Sequence, residues 1–182
     1  RGRDHRLVEP GTAPKSMGAE ETFEVDHRDM ERLRATLRGQ AERVARELRG
    51  EGYVGRTVTL KLRFADFSTI TRAHTGDPTQ DGLRIYQEAA ALLTRLGPKR
   101  PVRLIGVSVS ELAPVGPGQL SLFEPDAVRR ERLARAVDRL VERFGEGSVR
   151  PASLLIPIAE RARRPRRPAG RGQGEPRRGQ GR

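Results

Sequence analysis

Between Met30 and Leu48 the apolar residues return at intervals of three and four: Met30, Leu33, Leu37, Ala41, Val44 and Leu48. That spacing lays them along one stripe of a helix with Arg and Glu opposite, and Asp26 or Asp29 is placed to cap its start. The glycines of "GEGYVG" stop it. The period then changes to two in "RTVTLKLRFADF". Val58, Leu60, Leu62 and Phe64 point one way and Thr57, Thr59, Lys61 and Arg63 the other, which predicts a half-buried strand. A bend near Asp66 leads into "STITRAHT", a hydroxyl-rich strand with little to bury, and "GDPTQDG" reads as a loop. Helical spacing resumes at Leu83, Ile85, Tyr86, Ala89, Leu92, Leu93 and Leu96 and is closed by "GPKRP". "VRLIGVSVSEL" predicts a last strand, with Ile105, Val107 and Val109 on one face and Arg103 in the same parity. Upstream, Lys15 to Val25 extends as a first strand.

The order strand, helix, strand, strand, helix, strand predicts an α+β fold: a four-stranded antiparallel sheet with both helices on one face (β-α-β-β-α-β). Its core spans residues 15–112. The other sheet face is left open, carrying Thr57, Thr59, Lys61, Arg63 and neighbouring Ser and Thr. Such a face needs no special explanation, but hydroxyls and cations in a basic protein make it a candidate phosphate-contacting surface. Around this domain, residues 1–14 read as a polar tether and 113–125 as a Pro- and Gly-rich linker. Residues 126–160 read as a helical extension, capped by Asp126, with Val128, Leu133, Ala136, Val137, Leu140, Val141 and Phe144 on its apolar side. Whether that helix docks on the domain or meets a separate partner is open at this level.

Charge sharpens the picture. The 182 residues carry a formal net charge of +12, which makes polyanions, nucleic acid first, the expected partner. Residues 161–182 hold nine arginines against Glu175, so +8 of that charge sits in a Gly- and Pro-rich tail without large apolar residues. The composition predicts a disordered tail that adds salt-sensitive, sequence-blind phosphate attraction. No stretch approaches the ~20 apolar residues of a membrane span, and the N-terminal residues lack a signal-peptide core. The absence of cysteine rules out disulfides and thiolate metal sites and fits a reducing cytoplasm.

The sequence holds no recognisable catalytic constellation. His5, His27 and His74 are scattered, none paired at helical spacing with another ligand. There is no phosphate-binding glycine loop. Glu20 and Glu21 are adjacent and would face opposite sides of a strand, and Ser68, Thr69 and Thr71 have no identifiable base. No cofactor is expected in this chain. Sparse aromatics argue against base-stacking recognition of single strands.

One feature stands out in the linker. "QLSLF" puts Leu120, Leu122 and Phe123 among Pro117, Gly118 and Pro125, which bar a long helix or strand. Either these side chains fold back beside Leu112, or they anchor a partner protein.

Taken together, "PKSMGAEETF", "GRTVTLKLRFADFSTITRAHT" and "KRPVRLIGVSVSEL" closely resemble the little finger, or polymerase-associated domain, of Y-family translesion DNA polymerases of the DinB type (DNA polymerase IV). The likeness covers about residues 8–112, and "HRLVEPGTAPKS" is similar to the tether that precedes that domain. The resemblance implies a sheet that grips backbone phosphates of duplex or template-primer DNA. By position it implies contacts from Lys15, Ser16, Met17 and Gly18, partly through backbone N–H groups, from Ser68, Thr69, Thr71 and Arg72, and from Lys99, Arg100 and Arg103. Lys61 and Arg63 join them from the open face. "QLSLF" is similar to the Q-L-[SD]-L-F motif that docks on the bacterial sliding clamp, with Leu120, Leu122 and Phe123 as anchors, Gln119 at the rim and Ser121 between them. The family's metal-binding palm is missing from the 182 residues, so magnesium would belong there and no nucleotide incorporation is expected. A non-catalytic adaptor resembling inactive Y-family relatives, recruiting partners through the helix after residue 126, and a general RNA-binding protein are the alternatives. An intact palm upstream favours the first reading over the adaptor, and competition between duplex DNA and structured RNA separates it from the RNA binder.

Overall fold

The computed structural model describes residues 13–116, 125–149 and 151–152. Four strands and two helices form in the expected order: β1 (Ser16–His27), α1 (Met30–Glu51), β2 (Tyr53–Phe64), β3 (Thr69–Thr79), α2 (Gly82–Leu96) and β4 (Val102–Pro114). The strands make one antiparallel sheet in the order β1-β4-β2-β3. β4 and β2 are therefore central and β1 and β3 are edges, which explains the apolar run of β4 and the polar sequence of β3.

Each helix is fixed by its own ends. Asp29 caps α1 by accepting from the Glu31 N–H at 2.9 Å, and Asp81 does the same for α2 with Leu83 at 2.9 Å. Gly52 (φ 72°) and Gly97 (φ 51°) close the two helices in the left-handed conformation that favours glycine. Leu33, Leu37, Ala41, Val44, Ala45 and Leu48 of α1, with Ile85, Ala89, Leu92 and Leu93 of α2, pack on Val58, Leu60, Leu62, Phe64, Val102, Ile105, Val107 and Val109 of the sheet. Gln40 is the polar member of this layer, 3% exposed. Its Nε2 donates to the Ile105 carbonyl at 2.9 Å, so it ties α1 to the central strand instead of interrupting the packing.

Three details differ from the sequence-based expectation. "GDPT" belongs to β3: Thr79 pairs with Gly55, and a register shift between Gly55 and Thr57 lets Gly76–Pro78 bulge opposite Arg56. Proline is tolerated there because β3 is an edge strand and its outer side has no ladder to feed. A second irregularity separates the pairs Arg63–Leu104 and Phe64–Val102. It sets Arg103 at the step, out of the core-facing row that its parity with Ile105 suggested, and puts Val102 in the core instead. β4 also continues to Pro114, two residues past the expected boundary.

The helix α3 (Pro125–Phe144) begins one residue before the expected Asp126 cap, with proline at the first helical position, where its missing N–H is harmless. It does dock on the domain. Asp138 receives a two-pronged contact from Arg49, Nε at 2.6 Å and Nη2 at 2.8 Å, while Arg46 reaches Glu146 at 2.7 Å. Val141, on the same helix, is buried. Only part of the expected apolar side is used, because Leu133, Leu140 and Phe144 stay 64%, 42% and 63% exposed. The tether, the linker with "QLSLF", the run after Ala152 and the arginine-rich tail lie outside the described residues.

Candidate nucleic-acid interface

The pairing register lays out the open face as four lanes running across the strands. The first is Ser16–Ser110–Thr57–Thr75 and the second Gly18–Ser108–Thr59–Ala73. The third is Glu20–Gly106–Lys61–Thr71 and the fourth Thr22–Leu104–Arg63–Thr69. Nothing in the first two lanes is longer than threonine. With strands about 4.8 Å apart, they make a low, hydroxyl-bearing strip about 14 Å wide.

Close packing keeps the open face low. A Cβ on Gly18 would sit 2.8 Å from the Ser108 Cβ, and one on Gly106 would sit 2.6 Å from the Glu20 Cγ. The open face is also preorganised. Thr57 and Thr75 share a hydroxyl hydrogen bond of 2.7 Å, and Arg63 Nε donates to Thr69 Oγ1 at 3.1 Å. Across the gap left by Gly106, Lys61 Nζ donates to both Glu20 carboxylate oxygens, at 2.8 and 3.0 Å. Lys61 is thus neutralised in place. The centre of the face is nearly uncharged, and the polar groups it presents are hydroxyls.

Positive charge gathers at one end, around the β2–β3 hairpin. Arg100 Nη1 donates to Asp66 at 2.6 Å while its guanidinium lies 4.1 Å from the centroid of the Phe64 ring. Arg103 lies 4.8 Å over the Phe67 ring. Asp66 is the anchor of this end: it accepts from the Ser68 hydroxyl at 2.6 Å and from the Ser68 N–H at 3.0 Å. Those two bonds, with the nearby Arg100 charge, hold its carboxyl below the ordinary value of 3.8. A depressed carboxylate stabilises the fold above its unfolded pKa, and the contribution fades as pH falls through the folded value. Asp66→Asn is therefore expected to lower the urea midpoint at pH 7, and the gap to the parent should narrow as the pH drops below about 3.8. A gap that widens in acid would contradict this assignment.

Of the residues singled out by sequence, Ser16, Gly18, Lys61, Arg63, Thr69 and Thr71 come together on the open face. Lys15 is exposed just ahead of β1, and Lys99 and Arg100 are exposed in the α2–β4 connection. Two do not belong to the face. Met17 pairs with Val109 and is only 5% exposed, so its side chain belongs to the core. Arg72 pairs with Leu60 on the helix-side parity, next to His74, whose Nδ1 meets Glu88 at 2.9 Å. Its own Nη1 donates to the Thr71 carbonyl at 2.8 Å. Residues 119–123 lie outside the described residues. The sequence reading missed Ser108, Ser110 and Thr75 by name, although the alternation of Ser108 and Ser110 with Val107 and Val109 carries that information. Among the described residues no group of His, Asp and Glu could hold a metal ion, and no helix is long and apolar enough to cross a membrane.

Residues 14–122 match the family described as impB/mucB/samB family C-terminal domain. The chain is 42% identical over 167 residues to DNA polymerase IV of Desulfatibacillum aliphaticivorans, covering 88% of this chain and 42% of that protein. It is 44% identical over 128 residues to DNA polymerase IV of Alkalilimnicola ehrlichii, covering 68% of this chain and 36% of that one. The chain thus spans about two-fifths of the length of the curated relatives it matches. Among solved structures it resembles a complex of the beta-clamp processivity factor and the little finger domain of PolIV. That match has a TM-score of 0.46 and 24% identity, and covers 60% of this chain and 99% of the other.

Proposed function

Because this chain belongs to the impB/mucB/samB family by its C-terminal domain, we propose that residues 15–112 grip template-primer DNA by its backbone during translesion synthesis. Gln119–Phe123 then tether the protein to the bacterial sliding clamp, in the cytoplasm. Making the phosphodiester bond, with its magnesium, falls to a palm outside these 182 residues.

The observation that carries the grip is the low hydroxyl strip of the first two lanes. Small side chains let a sugar-phosphate strand come within hydrogen-bond reach of the sheet, and serine and threonine hydroxyls donate to phosphate oxygens whatever the base. The guanidinium groups at the hairpin end add attraction without a sequence code. A domain of this kind holds a duplex in register and leaves choice of nucleotide to other parts of the enzyme.

The clamp reading rests on the chemistry of "QLSLF". Leu120, Leu122 and Phe123 offer three apolar anchors on a short segment between Pro- and Gly-rich flanks, the pattern of a peptide whose few large side chains dominate binding. α3, docked by the Arg49–Asp138 fork, then serves as a helical extension of the domain.

The test is a duplex titration with and without purified sliding clamp, using the chain ended at residue 160 to remove the arginine tail. Binding to duplex is expected to survive the cut with a shallower salt dependence, and added clamp should form a ternary complex. Loss of all duplex affinity on removing the tail would assign binding to charge alone and defeat the sheet reading.

A further inference from the structure

The β2–β3 connection is built as a three-residue loop. The Phe67 N–H donates to the Phe64 carbonyl at 2.9 Å, and the Phe64 N–H donates to the Ser68 carbonyl at 3.0 Å. Such a loop is a turn followed by one left-handed residue, a place glycine fills without strain. Here that residue is Phe67, at φ 62° and 64% exposed. A bulky side chain in this conformation is strained, and the ring stands in water. The turn needs neither. Of the other phenylalanines, Phe23 and Phe64 are buried, at 6% and 3% exposure, so the ring at the tip is not explained by core packing.

Its surroundings suggest what it meets. The Arg103 guanidinium lies 4.8 Å from the ring centroid. Arg63 is bonded to Thr69 across the same hairpin, and Arg100 is held beside it by Asp66. Asp66 is the acid of this loop, already engaged by Ser68 and Arg100. An exposed aromatic plane ringed by arginines combines base stacking with phosphate attraction, as single-strand binding surfaces do. We infer that Phe67 is a stacking platform for an unpaired nucleobase, flanked by Arg63 and Arg103 as phosphate contacts. The inference rests on the reading that the open face holds DNA. It adds a point where one strand leaves the duplex, and it runs against the expectation from composition that base stacking plays no part.

The experiment uses the full chain, Phe67→Gly and Phe67→Trp, with fluorescence anisotropy at moderate salt. Three probes separate the terms: a blunt duplex, the same duplex with a ten-nucleotide 5′ template overhang, and that overhang made abasic so that phosphates remain and bases are gone. The parent should bind the natural overhang about five- to tenfold tighter than the abasic one, the lower range of what one stacked base contributes. Phe67→Gly relieves the left-handed strain and should melt no lower than the parent, yet lose that preference while keeping its affinity for blunt duplex. Phe67→Trp should keep the preference. Equal affinity of the parent for natural and abasic overhangs, or a preference that survives in Phe67→Gly, would overturn the inference. If Phe67→Gly lost blunt-duplex affinity to the same degree, a stacking role would likewise be refuted. Failure of the parent to bind blunt duplex at all would instead sink the grip by the sheet, a distinguishable result.

Discussion

Replacing Leu122 and Phe123 together with alanine is expected to weaken binding to immobilised sliding clamp about a thousandfold, the scale of two central anchors at about 2 kcal/mol each. The reasoning starts from solvation. Leucine and phenylalanine on a short segment bounded by Pro117, Gly118 and Pro125 recover the free energy of apolar burial only by entering a pocket. In a peptide of five residues two such side chains account for most of the buried apolar area. Duplex affinity and the melting transition should stay at parental values, since the substituted residues lie beyond the last strand. Clamp affinity within threefold of the parent would retire the tether.

The second large effect is expected on the open face. Thr59→Glu combined with Ser110→Glu places two carboxylates in adjacent hydroxyl lanes. The two positions are diagonal neighbours across β2 and β4 and not direct partners, so their mutual repulsion is modest at 7–8 Å. Both native residues are half-buried on the solvent side of the sheet, and the core layer beneath them is untouched. Duplex affinity should fall about a hundredfold, as like-charge juxtaposition at an interface costs several kcal/mol. The matched Thr59→Ala, Ser110→Ala variant, which only deletes hydroxyls, should lose far less. A circular dichroism melt within a few degrees of the parent establishes that the sheet is intact. Undiminished duplex affinity in the glutamate variant would place the DNA elsewhere.

What the sequence disclosed and what it withheld follow from the range of the interactions involved. β2 was legible on both faces because strict alternation from Thr57 to Phe64 reports burial directly. The helices were legible from their stripes, and Asp29 from its place just before one. β3 was read too short because Gly76, Asp77 and Pro78 carry turn chemistry, and only the position of that strand at the sheet edge makes them acceptable there. Arg103 was given the wrong face because one irregular pair shifts the parity of a strand, which periodicity cannot see. Met17 was named for its place in a resembling block, although Met17, Ala19 and Phe23 already alternate as core residues. The pairing of Lys61 with Glu20 spans three strands through Gly106. It depends on two long-range registers at once, and it changes the character of the face from cationic to hydroxyl-bearing. Docking of α3 was undecidable from its stripe alone, since the Arg49–Asp138 fork is what fixes it and leaves Leu133, Leu140 and Phe144 outside.

The bulge at Gly76–Pro78 has a consequence for behaviour in concentrated solution. A hydroxyl-rich edge strand with a straight backbone would present a row of open amide and carbonyl groups to any neighbouring molecule. Pro78 has no N–H to offer, and the extra residues opposite Arg56 throw the neighbouring groups out of line. Along the part of this margin opposite Arg56 a second copy finds no regular template for extending the sheet. The C-terminal end of β3 therefore offers no regular register for edge-to-edge growth, which limits widening of the open face at that corner.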